Sequence, residues 1–234
     1  MKKDKKLYEG KTKRLYTTDN PELLIQEFKN EGAAADGAKS ATIMGKGAVN
    51  NRLSTHFFRY LESHHVATHF VKVLSDTEMM VKRLDIIPVE VVVRNVASSA
   101  LAERFGVAEG EDLPQPVVEY YLKDDERHDP MINEDHVVAF GHASASDLGH
   151  IRRTAIKINA VLKDFFLRRN LRLVDIKLEF GRAKGKILLG DEISLDTCRL
   201  QDLTSGEEFD RDRLVADPTA AEQIYQSLCE RIVG

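Results

Sequence analysis

Cysteine is scarce in this sequence. Cys198 and Cys229 are the only two in 234 residues, too few and too far apart for a zinc framework or a disulfide scaffold, and in keeping with a reducing cytoplasm. Neither has a base near it in sequence, so both read as packing residues. Long apolar runs are missing too. The start Met1-Lys2-Lys3-Asp4-Lys5-Lys6 leads into no stretch suited to a signal peptide, and no later run approaches the roughly 20 apolar residues of a membrane span. The expectation is a cytoplasmic protein without a membrane partner. An excess of positive charge is also absent. Lys and Arg number 34 against 38 Asp and Glu, for a formal net charge of -4, which leaves no electrostatic footprint for nucleic acid. There is no Gly-x-x-x-x-Gly-Lys phosphate loop, no dinucleotide fingerprint, no His-Glu-x-x-His helix and no nucleophile elbow. Any chemistry must come from less familiar constellations.

What is present suffices for a core. The chain is 42% hydrophobic, and its length accommodates one large domain or two small lobes. Short apolar or alternating runs predict strands over 7–17, 23–28, 67–74, 78–84 and 89–95, with Asn20-Pro21 and 85–88 as connections. Between Gly47 and Glu62, Val49, Leu53, Phe57, Tyr60 and Leu61 recur at helical spacing, and the Asn and Arg residues among them read as solvent-facing. From Ser146, a plausible N-cap, to Asn170 a broader stripe runs through Leu148, Ile151, Ala155, Ile158, Leu162, Phe165 and Phe166. Pro218 opens a closing helix with Ile224, Leu228 and Ile232 on one face. A strand-rich N-terminal lobe therefore leads without a spacer into a mixed helix and strand lobe.

Three motifs bear on chemistry. In Tyr8-Glu9-Gly10-Lys11-Thr12-Lys13-Arg14, a glycine permits close backbone approach, and Lys11 and Lys13, two apart on a strand, share a face. The pair reads either as a polyphosphate grip or as a solvated basic strand edge. In 173–181, Val174, Ile176, Leu178 and Phe180 alternate with Asp175, Lys177 and Glu179, and 186–192 returns as a second strand ending in Gly190-Asp191-Glu192. An odd-length loop, Arg182-Ala183-Lys184, would put Asp191 on the Glu179 face; an even one would not, unless a bulge intervenes. Two neighbouring carboxylates repel unless a cation lies between them, which suits Glu179 and Asp191 to magnesium, with Lys177 as a point charge beside them, oriented by Asp175. Ordinary cross-strand charge pairing accounts for the same pattern. The third motif is 91–100, where a strand delivers Arg94 and Ser98 or Ser99 starts a short helix to about Gly106, a combination that favours a phosphate monoester. His64, His65 and His69 read as helix-end histidines, and the run Asp124 to Asp129 as a solvated loop.

Taken in order, Tyr8 to Lys13, Val89 to Asn95, His128-Asp129-Pro130, Asp175 to Gly181 and Gly190 to Arg199 resemble the SAICAR synthetase family along nearly the whole chain. The resemblance implies an α+β fold with a kinase-like, two-lobed ATP cleft, an antiparallel N-terminal lobe (1–85) and a larger mixed lobe (86–234), often as a homodimer. It implies an ATP-dependent ligase joining carboxyaminoimidazole ribonucleotide to L-aspartate, with magnesium. Gly10, Lys11, Thr12 and Lys13 would meet the ATP phosphates, and the backbone from Lys82 to Leu84 would hold adenine. Glu179 and Asp191 would bind the metal. Arg94 and Arg199 would bind the ribonucleotide phosphate, and Asp175, Lys177 and Asp196 the rest of that substrate. Lys123 and Asp129 are candidates for the aspartate half. The family's phosphate-site serine falls on Ala100 here, with Ser99 as its stand-in. Leu195, Gln201 and Val215 also depart from the family pattern. A related kinase acting on an inositol phosphate and a nucleotide sensor without turnover are the alternative functions.

Overall fold

Alternating apolar residues in the first third build a five-stranded antiparallel sheet. The computed structural model describes residues 2–33 and 40–234. Lys6–Glu9 (β1), Lys13–Thr17 (β2) and Leu23–Phe28 (β3) follow one another, Glu31–Ala33 (β4) and Ser40–Thr42 (β5) pair as a separate ribbon, and helix Lys46–Ser63 (α1) follows. Phe70–Ser75 (β6) and Glu78–Lys82 (β7) complete the sheet in the order β1-β2-β3-β7-β6. The first run is a hairpin rather than one long strand. The Gly10 amide donates to the Lys13 carbonyl at 2.9 Å and closes a turn, so Lys11 lies in that turn and does not share a strand face with Lys13.

Helix α1 buries Val49, Leu53, Phe57 and Leu61, as its spacing predicts. Its asparagines do not face solvent. Asn50 and Asn51 are buried, the first donating to Asp196 and the second to the Ser75 and Asp76 carbonyls. Arg52 and Arg59 are exposed.

The second sheet begins after two residues. Asp85–Val96 (β8) includes the stretch 85–88 expected as a connection. Helix Ser99–Phe105 (α2) leads to Asp112–Leu122 (β9), and Met131–Ile132 (β10) precedes helices Glu134–Ala139 (α3) and Ala145–Leu167 (α4). Then come Leu171–Ala183 (β11), Lys186–Leu189 (β12), Cys198–Asp202 (β13), Glu208–Phe209 (β14), Arg211–Ala216 (α5) and Pro218–Val233 (α6). The strand order is β10-β9-β8-β11-β13-β14, with β12 paired to the end of β11.

Helix α4 starts at Ser144 rather than Ser146. Ser144 and Asp147 bond each other's backbone amides in a capping box, and the helix ends at Leu167 with Arg168 as its C-cap. Its predicted stripe is buried and packs on β11 and β8, each large side chain contributing about 1.5–3 kcal/mol. On β11 the main core cluster takes Leu171, Leu173, Ile176, Leu178 and Phe180, while Val174, 2% exposed, is buried outside it. The register against β13 slips between Leu173 and Asp175, and that bulge breaks the alternation at Val174. Among the described residues no helix is long and apolar enough to cross a membrane.

Candidate active site

The face of β8 and β11 turned away from α4 forms the floor of a cleft of about 1170 Å³ beneath the first sheet. Directly opposed residues in an antiparallel pair share a face. Arg94 lies opposite Asp175, Val92 opposite Lys177 and Glu90 opposite Glu179 across β8 and β11, and Asp175 lies opposite Arg199 across β13. On the far side of β8, Glu119 faces Val92 and Tyr121 faces Glu90. The turn Gly10 to Thr12, Lys13, Gln26, Val81 and Lys82 close the cleft from the first sheet.

Asp191 reaches this floor by a route that the odd-loop expectation does not describe. The β11–β12 turn has two residues, Lys184 and Gly185, at φ of +50° and +74°, between the paired Ala183 and Lys186. That is the left-handed pair of a type I′ hairpin. With this even loop, Phe180 pairs with Leu189 and the Gly190 amide donates to the Glu179 carbonyl at 2.9 Å. A regular ladder would then set Asp191 opposite Leu178, on the core face. The ladder instead stops at Leu189, and Asp191 adopts φ of +59°, which turns its carboxylate back towards Glu179.

The charges on the floor are arranged in pairs. Lys13 donates to Asp191 and lies 2.8 Å from Glu192. Lys123 donates to Glu179. Lys177 is paired with Glu90 at 2.7 Å, not with Asp175 as expected. Arg94 donates from Nε to Glu119 at 2.7 Å, from Nη1 to Asp175 and Ser98 at 3.0 Å each, and from Nη2 to Tyr121 at 3.2 Å. Arg199 stands 3.9 Å from Asp175.

Burial pushes the Glu179 carboxyl up, and the Asp191 charge adds to that push against Lys123, Lys177 and Lys13. Burial acts on Asp191 in the same direction, but Lys13, Lys177 and Lys123 outweigh it and hold its carboxyl at about 2. Burial opposes the charge on Lys13, yet Asp191, Glu192 and Glu179 carry its pKa above the ordinary value. Burial also raises Asp175, against Arg199 and Arg94. Burial lowers His69 to about 3, so this histidine is neutral and is no helix-end surface residue.

Of the residues expected in the site, Gly10, Lys11, Thr12, Lys13, Lys82, Leu84, Arg94, Lys123, Asp129, Asp175, Lys177, Glu179, Asp191, Asp196 and Arg199 all line the one cleft. Ser99 does not; it is exposed at the first position of α2, and Ser98, the N-cap, is the serine that meets Arg94. Lys123 turns to Glu179, and Asp129 accepts from the Asp124 amide at 2.8 Å within its own loop. Asp196 is held by Lys46, by Asn50 at 2.8 Å and by Tyr225 at 2.9 Å.

Residues 6–232 match the SAICAR synthetase family model. Phosphoribosylaminoimidazole-succinocarboxamide synthase of Chloroherpeton thalassium is 49% identical over 234 residues, the full length of both chains. The chain belongs to the SAICAR synthetase family. The synthase of Chlorobium phaeobacteroides is 51% identical, covering 100% of this chain and 99% of its own. Among solved members, the Ehrlichia chaffeensis synthase superposes with a TM-score of 0.93 at 37% identity, covering 97% and 98% of the two chains. A SAICAR synthetase in complex with ADP gives 0.92 at 44% identity, covering 96% of each. The family fold is α+β with antiparallel sheets, as expected from the sequence. Sequence reasoning missed Glu90, Glu119, Tyr121, Glu192 and the fully buried Lys46, each of which fixes a residue that it did find.

Proposed function

We propose that this chain is a phosphoribosylaminoimidazole-succinocarboxamide synthase, which condenses carboxyaminoimidazole ribonucleotide with L-aspartate while cleaving ATP to ADP and phosphate. The observation that carries this reading is the row Asp175, Lys177 and Glu179 meeting Asp191 and Lys13 inside one cleft. Full-length relatives bearing that name and a family member solved with ADP support it.

ATP would lie under the first sheet, which with the residues to 85 forms the smaller lobe, the rest of the chain forming the larger. The Lys82 amide is spent on the His69 carbonyl and the Arg83 amide on the Glu22 carbonyl, at 2.7 Å each. The adenine-facing donor is then the Leu84 amide. The Gly10 to Lys13 turn lies over the phosphates. Glu179 and Asp191 fit a magnesium ion: they are buried oxygen donors whose repulsion is relieved here by the surrounding lysine ammoniums. Among the described residues no three His, Cys, Asp or Glu side chains gather into a cage, which suits an ion that takes two carboxylates and completes its shell with phosphate oxygens. When bound it would supply charge neutralisation on those phosphates.

A guanidinium has five N–H donors. Arg94 spends four on Glu119, Asp175, Ser98 and Tyr121, so its plane is fixed and one Nη2 donor remains for the ribonucleotide phosphate, beside half-buried Arg199. Lys177 then faces the imidazole carboxylate. A carboxylate is a poor electrophile, so one of its oxygens first attacks the γ-phosphorus, ADP leaves and an acyl phosphate forms. The neutral aspartate amine next attacks the acyl carbon to form the C–N bond; the acyl C–O bond breaks, phosphate leaves with its electron pair, and the amine gives up a proton to phosphate or solvent. Positioning and charge neutralisation by Lys13, Lys123 and Lys177 carry the catalysis, with no protein nucleophile. The enzyme works as a cytoplasmic homodimer.

The deciding assay is phosphate release from ATP with carboxyaminoimidazole ribonucleotide, with and without aspartate. Release that needs both substrates, with the succinocarboxamide as product, is expected. Release indifferent to both refutes the reading, and release driven by an inositol phosphate favours the kinase alternative.

A further inference from the structure

The metal hairpin cannot present Asp191 by itself. The β12 ladder stops at Leu189, and only the left-handed backbone at Asp191, φ +59°, brings its carboxylate to the Glu179 face. For a residue with a Cβ that conformation is unfavourable and persists where surrounding structure over-determines it.

One side chain outside the hairpin takes hold of the Asp191 main chain. Gln26, at the centre of β3 and 2% exposed, donates Nε2 to the Asp191 carbonyl at 3.2 Å. His69, 4% exposed, packs beside it, its Nδ1 3.9 Å from where a Cβ on Gly190 would stand. Both are firmly placed. Gln26 pairs with Leu15 on one side and Met79 on the other. The His69 amide donates to the Leu189 carbonyl at 2.9 Å, its carbonyl accepts from Lys82, and its ring packs edge-on against Phe58 at 5.1 Å. A glutamine on a buried strand is costly unless its amide is used, and among the described residues its amide donates to the Asp191 carbonyl.

We propose that Gln26 is a positioning residue that holds Asp191 in its left-handed conformation and thereby sets the affinity of the Glu179 and Asp191 pair for a divalent cation. This rests on the metal reading above. The hairpin supplies the carboxylates, and a donor anchored on the first sheet fixes where one of them points. Cation affinity is thus a property of the two sheets together.

Mn2+ binding to the full chain with saturating ADP, read by electron paramagnetic resonance, tests this. Gln26→Leu should weaken Mn2+ binding about three- to tenfold, the worth of one buried hydrogen bond. ADP affinity without divalent cation should change less than Mn2+ affinity does, and raising the metal concentration should recover the lost turnover, which a general loss of structure would not permit. Asp191→Asn separates the two levels: if it binds Mn2+ as wild type does, the metal reading itself fails. If it weakens binding while Gln26→Leu leaves it unchanged, the positioning proposal is overturned and the metal reading stands.

Discussion

Replacing Arg94 by methionine keeps much of the side chain's apolar length and removes its charge. The guanidinium is the shared partner of Glu119, whose side chain is 2% exposed, and of Asp175, at 12%. Removing one member of a buried ion pair costs about 3–5 kcal/mol, because the partner stays buried and uncompensated. Arg104 at 3.0 Å from Glu119 and Arg199 at 3.9 Å from Asp175 remain, which puts the expected loss near the lower end, about 3 kcal/mol. Burial already raises the Asp175 carboxyl, and without Arg94 it rises further. A carboxyl whose folded pKa lies above its unfolded one binds protons more readily when folded, so the variant gains stability as pH falls towards that folded value. In the wild type, burial would raise Glu119, but Arg94 and Tyr121 outweigh it and lower the carboxyl. That stability is present above the unfolded pKa of about 4.5 and is lost as pH falls below it. Both effects narrow the gap between the two proteins in acid. Urea unfolding at pH 7 and pH 4 measures it. A loss under about 1 kcal/mol at pH 7, or a gap of the same size at pH 4, would refute the argument that Arg94 neutralises two buried acids.

Glu179→Gln should cut turnover by about a hundredfold or more at saturating ATP while leaving the urea midpoint close to wild type, since it removes one charge from the reacting centre. A Cβ on Gly47 would stand 2.7 Å from the Phe28 carbonyl oxygen, so Gly47→Ala should cost about 1–3 kcal/mol. Gly149 in α4 would meet only the flexible end of Arg153 at 3.3 Å, and Gly149→Ala should gain up to about 1 kcal/mol in the same assay. Lys184→Asn, which makes the hairpin turn Asn-Gly, should raise stability by roughly half a kcal/mol. Burial raises both the Cys198 and the Cys229 thiol, so a thiol reagent at pH 8 should label neither in the native protein and both in urea.

The parts of the fold that the sequence disclosed were those with long, regular periods. The α4 stripe buries what its spacing predicts, and so does the alternation along β11 from Ile176 to Phe180. The strand β9 went unseen because Pro114 and Pro116 interrupt it, and with it went Glu119 and Tyr121, the residues that orient Arg94. Glu90 was hidden differently: between Val89 and Val91 it reads as a polar break, although 90, 92 and 94 fall on one face. The serine assignment slipped by one because either of two adjacent serines can cap α2, and only the backbone at Ser98, φ -74° and ψ 166°, decides it. The register of the β11–β12 hairpin departed from the odd-loop expectation for a deeper reason. Alternation rules assume a regular ladder, and Asp191 reaches its face through a left-handed residue that no period encodes.

This bears on why the floor of the cleft resembled ordinary sheet surface in the first place. Cross-strand pairs of opposite charge are what an exposed sheet face carries, and an enzyme that must bury several acids before any ligand arrives carries the same pattern, since each buried charge needs a countercharge. Lys13 with Asp191, Lys123 with Glu179, Lys177 with Glu90 and Arg94 with Asp175 satisfy that need within the protein. What separates the two cases is burial. Asp175 and Glu179 are 9% and 7% exposed, which an exposed face would not enforce. Burial at these positions requires the first sheet to cover the second, a long-range fact that no local spacing contains. The motif supplied the residue types in the right order, and the covering sheet turned a row of charges into a site.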